Sequence, residues 1–111
     1  VQKPHPPILV GGDAPGTFKR VLHYGDAWFP SLSGNEAPSE LKQERMAELA
    51  VLAKDAGREP FPITTNATPR DPAAIEKLAK AGVTRCLFGL KAAPADDVLP
   101  RLDKLATFLK L

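Results

Sequence analysis

Four short, unbroken apolar runs alternate along this chain with four segments of helical period, and that alternation restricts the fold more than any other feature. The runs are Ile8-Leu9-Val10, Ala27-Trp28-Phe29, Phe61 to Thr65, and Arg85 to Phe88. They do not alternate apolar with polar, so they read as strands covered on both faces, as in parallel sheets. Each ends on a breaker or turn residue: Gly11-Gly12, Pro30, Asn66 and Gly89.

The intervening segments carry the helical period. Phe18, Val21, Leu22 and Gly25 stand at i, i+3, i+4 and i+7, and Ile75, Leu78, Ala79 and Gly82 repeat that spacing with glycine again closing the helix. A longer helix sets Met46, Leu49, Ala50 and Ala53 on one face, and a last one sets Val98, Leu102, Leu105, Ala106 and Leu109. Ser39 before Glu40 and Asp71 before Pro72 are start signals. Pro100 fits a first turn, which puts the start of the last helix near Asp97.

The order β-α-β-α-β-α-β-α predicts an α/β chain. Two architectures fit it: four βα units forming half of a (β/α)8 TIM barrel, with every helix outside, or a small flavodoxin-like open parallel sheet with helices on both faces. Pattern alone does not choose between them. The flavodoxin-like sheet usually needs five strands, and this chain supplies four. The chain opens at Val1, and the polar, proline-rich stretch to Pro7 reads as a connector. The expected organisation is therefore a linker over 1–7, arriving from a missing N-terminal half, and a C-terminal (β/α)4 half-barrel over 8–111.

Composition narrows the function. With 43% hydrophobic and 25% charged residues the chain is of the folded, globular kind. A net charge of +2 without a Lys/Arg block argues against nucleic acid as the main partner. No apolar run approaches the ~18 residues of a membrane span. A single cysteine leaves no internal disulfide and no cysteine-based metal site, and suggests a reduced, cytoplasmic setting. No His/Asp/Glu cluster has metal-ligand spacing.

The sharpest local feature is Val10-Gly11-Gly12-Asp13-Ala14-Pro15-Gly16-Thr17, which follows a strand and opens a helix. Such a turn lets backbone N–H groups approach an anion at a helix N-terminus. It equally suits a tight turn that needs glycine for its dihedrals, with Asp13 as the helix cap. Trp28 reads as core, with ring stacking as the alternative. Thr64, Thr65 and Asn66 end a strand where a ligand would be met, or cap the next turn. His23 reads as an exposed or partly packed helix residue, His5 as solvated, Cys86 as a buried inert thiol, and the charges from Lys42 to Lys54 as the wet face of a helix.

Ile8-Leu9-Val10-Gly11-Gly12 followed by Gly25-Asp26-Ala27-Trp28-Phe29-Pro30 resembles a signature of the luciferase-like monooxygenases, whose "GG" turn and "GDGW" motif stand in this order. Lys3-Pro4-His5-Pro6-Pro7-Ile8, Ala81 to Phe88 and the closing Val98 to Leu111 resemble that family's entry segment, its approach to the last strand and its final helix. The resemblance implies a (β/α)8 barrel using FMN or coenzyme F420 for hydride transfer or monooxygenation, with this chain as strands five to eight. It implies a coenzyme phosphate held in part by Gly11, Gly12, Asp13 and Ala14. Asp13 stands where small or hydroxyl residues are common in the family. Substrate and ring contacts in the family come from the first four strands, so no catalytic residue is assigned here, and the chain alone is expected to lack a complete active site.

Half a barrel leaves two strand edges and an inner face open, which favours association. The expected partner is a second copy closing eight strands, or the missing N-terminal half.

Overall fold

The computed structural model describes residues 3–31, 40–66, 68 and 70–110. The chain runs β1 (Leu9–Gly11), α1 (Thr17–Tyr24), β2 (Ala27–Phe29), α2 (Glu40–Asp55), β3 (Thr64–Thr65), α3 (Pro72–Ala81), β4 (Arg85–Cys86) and α4 (Ala95–Phe108). It is an α/β fold with four helices and short parallel strands.

β1 pairs with β2 in the register Leu9–Ala27, Val10–Trp28 and Gly11–Phe29, and β3 pairs with β4 as Thr64–Arg85 and Thr65–Cys86. A parallel bridge between Trp28 and Ile63 joins the two pairs, with the Trp28 N–H donating to the Pro62 carbonyl at 3.0 Å. The spatial order is therefore β1-β2-β3-β4, without reversal, and no barrel is closed among the described residues. β2 coincides with its apolar run and β1 keeps the length of its run one residue further on, whereas β3 and β4 pair only two residues each of the runs over 61–65 and 85–88.

Strand alternation sends Val10, Trp28 and Ile63 to one face. There they pack with Phe18 and Val21 of α1, Met46, Leu49 and Ala53 of α2, and Leu78 of α3 in one buried cluster. Phe18 meets Trp28 edge-on with ring centroids 4.9 Å apart. Three helices thus cover the same side of the strands, which a doubly wound sheet does not do. α4 adds Leu105 to the buried set, and its Phe108 lies 6.2 Å from the Phe88 ring.

The corners are tightly specified. Gly25 ends α1, and a Cβ there would stand 2.8 Å from Val10 Cγ2 and 2.9 Å from Val21 Cα, so only glycine allows this approach. Arg58, just past α2, donates to the carbonyls of Leu22 at 3.1 Å and Gly25 at 3.4 Å, where the helix dipole favours a cation. Its guanidinium lies 4.4 Å above the Phe61 ring. Asp71 caps α3 by accepting from Ala73 N–H at 3.2 Å, with Pro72 in the first turn. At its other end, Gly82 and Val83 donate back to Ala79 and Leu78.

Several expectations are corrected. α4 starts at Ala95, so Pro100 sits beyond the first turn. The Pro94 carbonyl accepts from Asp97 at 2.9 Å and Val98 at 3.1 Å, and the carboxylates of Asp96 and Asp97 suit the positive end of the helix. Leu102 on α4 and Leu109 at its C-terminal cap are exposed, and on α2 Ala50 is exposed. On α3 Ala79 is exposed and Ile75 only half-buried. Ser39 and the 32–38 part of the long loop lie outside the described residues.

Candidate functional site

The Gly11–Gly12 turn leaves the C-terminal end of β1 and lies beside Phe29, Pro30 and Ser31 at the matching end of β2. Gly11 is the last strand residue. Gly12 adopts φ +103°, a conformation that favours glycine. Its N–H donates to the Phe29 carbonyl at 3.3 Å, and its carbonyl accepts from the Trp28 indole N–H at 2.8 Å. The turn is therefore fastened to β2 through both polar groups of one glycine. Trp28 is core, fully buried, with its polar edge spent on this turn.

Asp13 does not cap α1. The helix cap is Gly16, without a side-chain bond, and the turn closes through Thr17 N–H donating to the Ala14 carbonyl at 2.9 Å. The Asp13 carboxylate instead forms an ion pair with Lys42 of α2 and accepts from the Ser31 N–H at 3.3 Å. Among the described residues the N–H groups of Asp13 and Ala14 donate to no protein acceptor. Gly12 has no donor left to offer. Asp13 and Ala14 carry donors that no described residue uses, and a carboxylate already paired to a lysine lies beside them. That arrangement suits a phosphate at the backbone of 13 and 14, and less so at Gly12.

Two residues at this site escape the sequence reading. Lys42 and Arg45 belong to a charged stretch assigned to solvent, yet both are half-buried. Arg45 lies 4.0 Å over the Phe18 ring and donates to Glu48 at 2.5 Å, and its Nη2 is buried with no partner among the described residues. The signal was present: Lys42 precedes Met46 by four, and Arg45 precedes Leu49 by four, so both flank the core stripe.

The other candidates disperse. Thr64 and Thr65 are buried in β3, with Thr65 Oγ1 at 3.9 Å from Cys86 Sγ, while Asn66 is exposed. Cys86 is half-buried rather than sealed. Thr68, just past β3, keeps a buried hydroxyl that meets no partner among the described residues. His23 is exposed beside Tyr24, and His5 is exposed with Nδ1 at 2.8 Å from the Pro6 carbonyl. Among the described residues no three His, Cys, Asp or Glu side chains converge on a metal position. No described helix is long and apolar enough to cross a membrane.

A separate concavity of about 610 Å³ lies at the opposite end of the strands, walled by Pro7, Leu9, Asp26, Ala27, Pro62, Thr64, Thr84 and Arg85.

No family model matches the chain, and no solved structure matches it significantly. Three curated mycobacterial proteins are similar to it. They are the uncharacterized proteins Rv0953c and MT0980 of two Mycobacterium tuberculosis strains and Mb0978c of Mycobacterium bovis. Each is 32% identical over 114 residues, covering 96% of this chain and 37% of the relative. The chain thus spans little more than a third of the length of the curated relatives it matches.

Proposed function

We propose that this chain is the C-terminal half-barrel portion of a luciferase-like, FMN- or F420-dependent oxidoreductase, and that the turn from Gly11 to Ala14 contributes to the coenzyme phosphate site. The observation that carries the reading is the position of that turn. It lies at the C-terminal end of a strand in a sequentially ordered parallel set whose helices share one face. Right-handed crossovers in such an order wind one way, as in a (β/α)8 barrel, and barrels carry their sites at that end. A doubly wound, non-catalytic phosphate-binding module would need a reversal of strand order.

Asp13 and Ala14 N–H groups hold the phosphate in this reading, and Gly12 shapes the turn without donating. Lys42 offsets the Asp13 carboxylate, so an anion approaching the turn meets a neutralised side chain. The bound coenzyme supplies the redox chemistry, and this chain's residues hold and orient it. The remaining share of the active site belongs to parts of a longer protein, so the chain alone is not expected to turn over substrate. A reduced, cytoplasmic setting goes with a lone unpaired cysteine.

Titration of the folded chain with FMN and with F420, followed by fluorescence and calorimetry, tests this. Saturable binding of one coenzyme is expected, weaker for riboflavin, which lacks the phosphate, and weakened by Gly12→Val. Absence of binding by either coenzyme overturns the reading.

A further inference from the structure

We infer, resting on the coenzyme reading above, that Arg20 of α1 is the cation that meets the coenzyme phosphate at the Gly11–Ala14 turn, and that Thr17 is the residue that positions it. This adds to the site a charged side chain from outside the turn.

The turn by itself is short of positive charge. It offers a phosphate the N–H groups of 13 and 14, and the lysine that reaches it, Lys42, is paired with the Asp13 carboxylate. A phosphate carries about one to two negative charges near neutral pH. Two backbone dipoles beside a carboxylate answer only part of that charge.

Arg20 stands three residues after Thr17, and helix side chains lean toward the helix N-terminus. A guanidinium from this position therefore reaches back over the first turn. In place, its Nη2 donates to Thr17 Oγ1 at 3.3 Å. That same Oγ1 lies 3.8 Å from where a Cβ on Gly12 would stand. One hydroxyl thus touches the guanidinium on one side and the glycine of the turn on the other, which brings Arg20 to the end of α1 where the donors of 13 and 14 lie. Thr17 is fully buried, and its own N–H closes the turn onto the Ala14 carbonyl at 2.9 Å, so the hydroxyl is a fixed anchor.

Arg20 itself is exposed and makes no ion pair among the described residues. Its other guanidinium N–H groups are uncommitted there, and their planar fork suits two phosphate oxygens. Lys19 supplies the contrast. It is exposed and carries the same charge one residue earlier, about 100° round the helix, and it makes no ion pair or hydrogen bond to the turn.

The test compares each coenzyme with its phosphate-free form: FMN with riboflavin, and F420 with its deazaflavin core. Fluorescence titration of the folded chain reads both affinities, and circular dichroism checks each variant. Arg20→Ala should weaken binding of the phosphate-bearing form at least about tenfold, the scale of one charge-assisted hydrogen bond, and leave the phosphate-free form unchanged. Arg20→Lys should recover part of the loss. Thr17→Val keeps the buried shape, removes the anchor and should give a smaller loss, again confined to the phosphate-bearing form. Lys19→Ala should change neither. No binding of any form by the wild-type chain overturns the coenzyme reading and this inference with it. A chain that prefers the phosphate-bearing form and keeps that preference in Arg20→Ala overturns this inference alone. So does an equal loss for both forms, which marks a structural role, or an equal effect of Lys19→Ala, which marks the general field of the helix.

Discussion

The indole N–H of Trp28 donates to the carbonyl oxygen of Gly12 across 2.8 Å, joining the core to the turn at the end of β1. In a trans peptide the carbonyl of one residue and the N–H of the next point in opposite directions. Turning the Gly12 carbonyl inward onto Trp28 therefore turns the Asp13 N–H outward. A buried aromatic residue thus sets the direction of a donor at the surface.

Trp28→Phe keeps a ring against Phe18 but removes that donor and some buried volume. A cost of about 2–3 kcal/mol is expected, from a lost hydrogen bond of about 1 kcal/mol and incomplete repacking. Urea denaturation reads the stability. Amide exchange reads the turn, and faster exchange at Gly12, whose N–H is bonded to the Phe29 carbonyl, than the global loss explains is the expected signature. Unchanged local protection would mean that the indole does not hold the turn.

Gly25→Ala places a methyl group against Val10 Cγ2 and the Val21 backbone. The backbone cannot rotate away as a side chain can, so overpacking should cost about 1–3 kcal/mol and lower Tm. Gly89→Ala, whose added methyl meets nothing within 4 Å, is the control and should leave Tm nearly unchanged.

Asp71→Ala removes the acceptor for the Ala73 N–H at the start of α3, with an expected loss of about 1 kcal/mol in chemical denaturation. Asp71→Asn keeps a side-chain oxygen in place and should recover most of it. Equal destabilisation by both would point to an effect other than capping.

The helices were largely legible because their signals are local. The spacing of Phe18, Val21 and Leu22 marks α1, and Asp71-Pro72 marks the start of α3 within one residue. The start of α4 is not legible from Pro100, because this proline lies past the first turn of the helix. In place, it deprives only the Asp96 carbonyl of an N–H partner, on an exposed helix where water can serve. The apolar runs showed where strands lie, but ladder length depends on what each strand finds beside it. The turn was legible as a motif and not as a site. Its chemistry depends on Lys42 reaching Asp13 and on Trp28 reaching Gly12, and such pairs exist only once the chain has folded.

Arg58 ties these units together in a way their repetition conceals. It follows the second helix, yet it clasps the corner that ends the first, and it lies over a ring that leads into the third strand. A chain of similar βα segments invites treatment as interchangeable cassettes. Here a crossover placed between Asp26 and Glu40 would inherit the corner from one parent and its clasp from the other. Chimeras should tolerate that junction only when the incoming second segment brings an arginine to the place of Arg58.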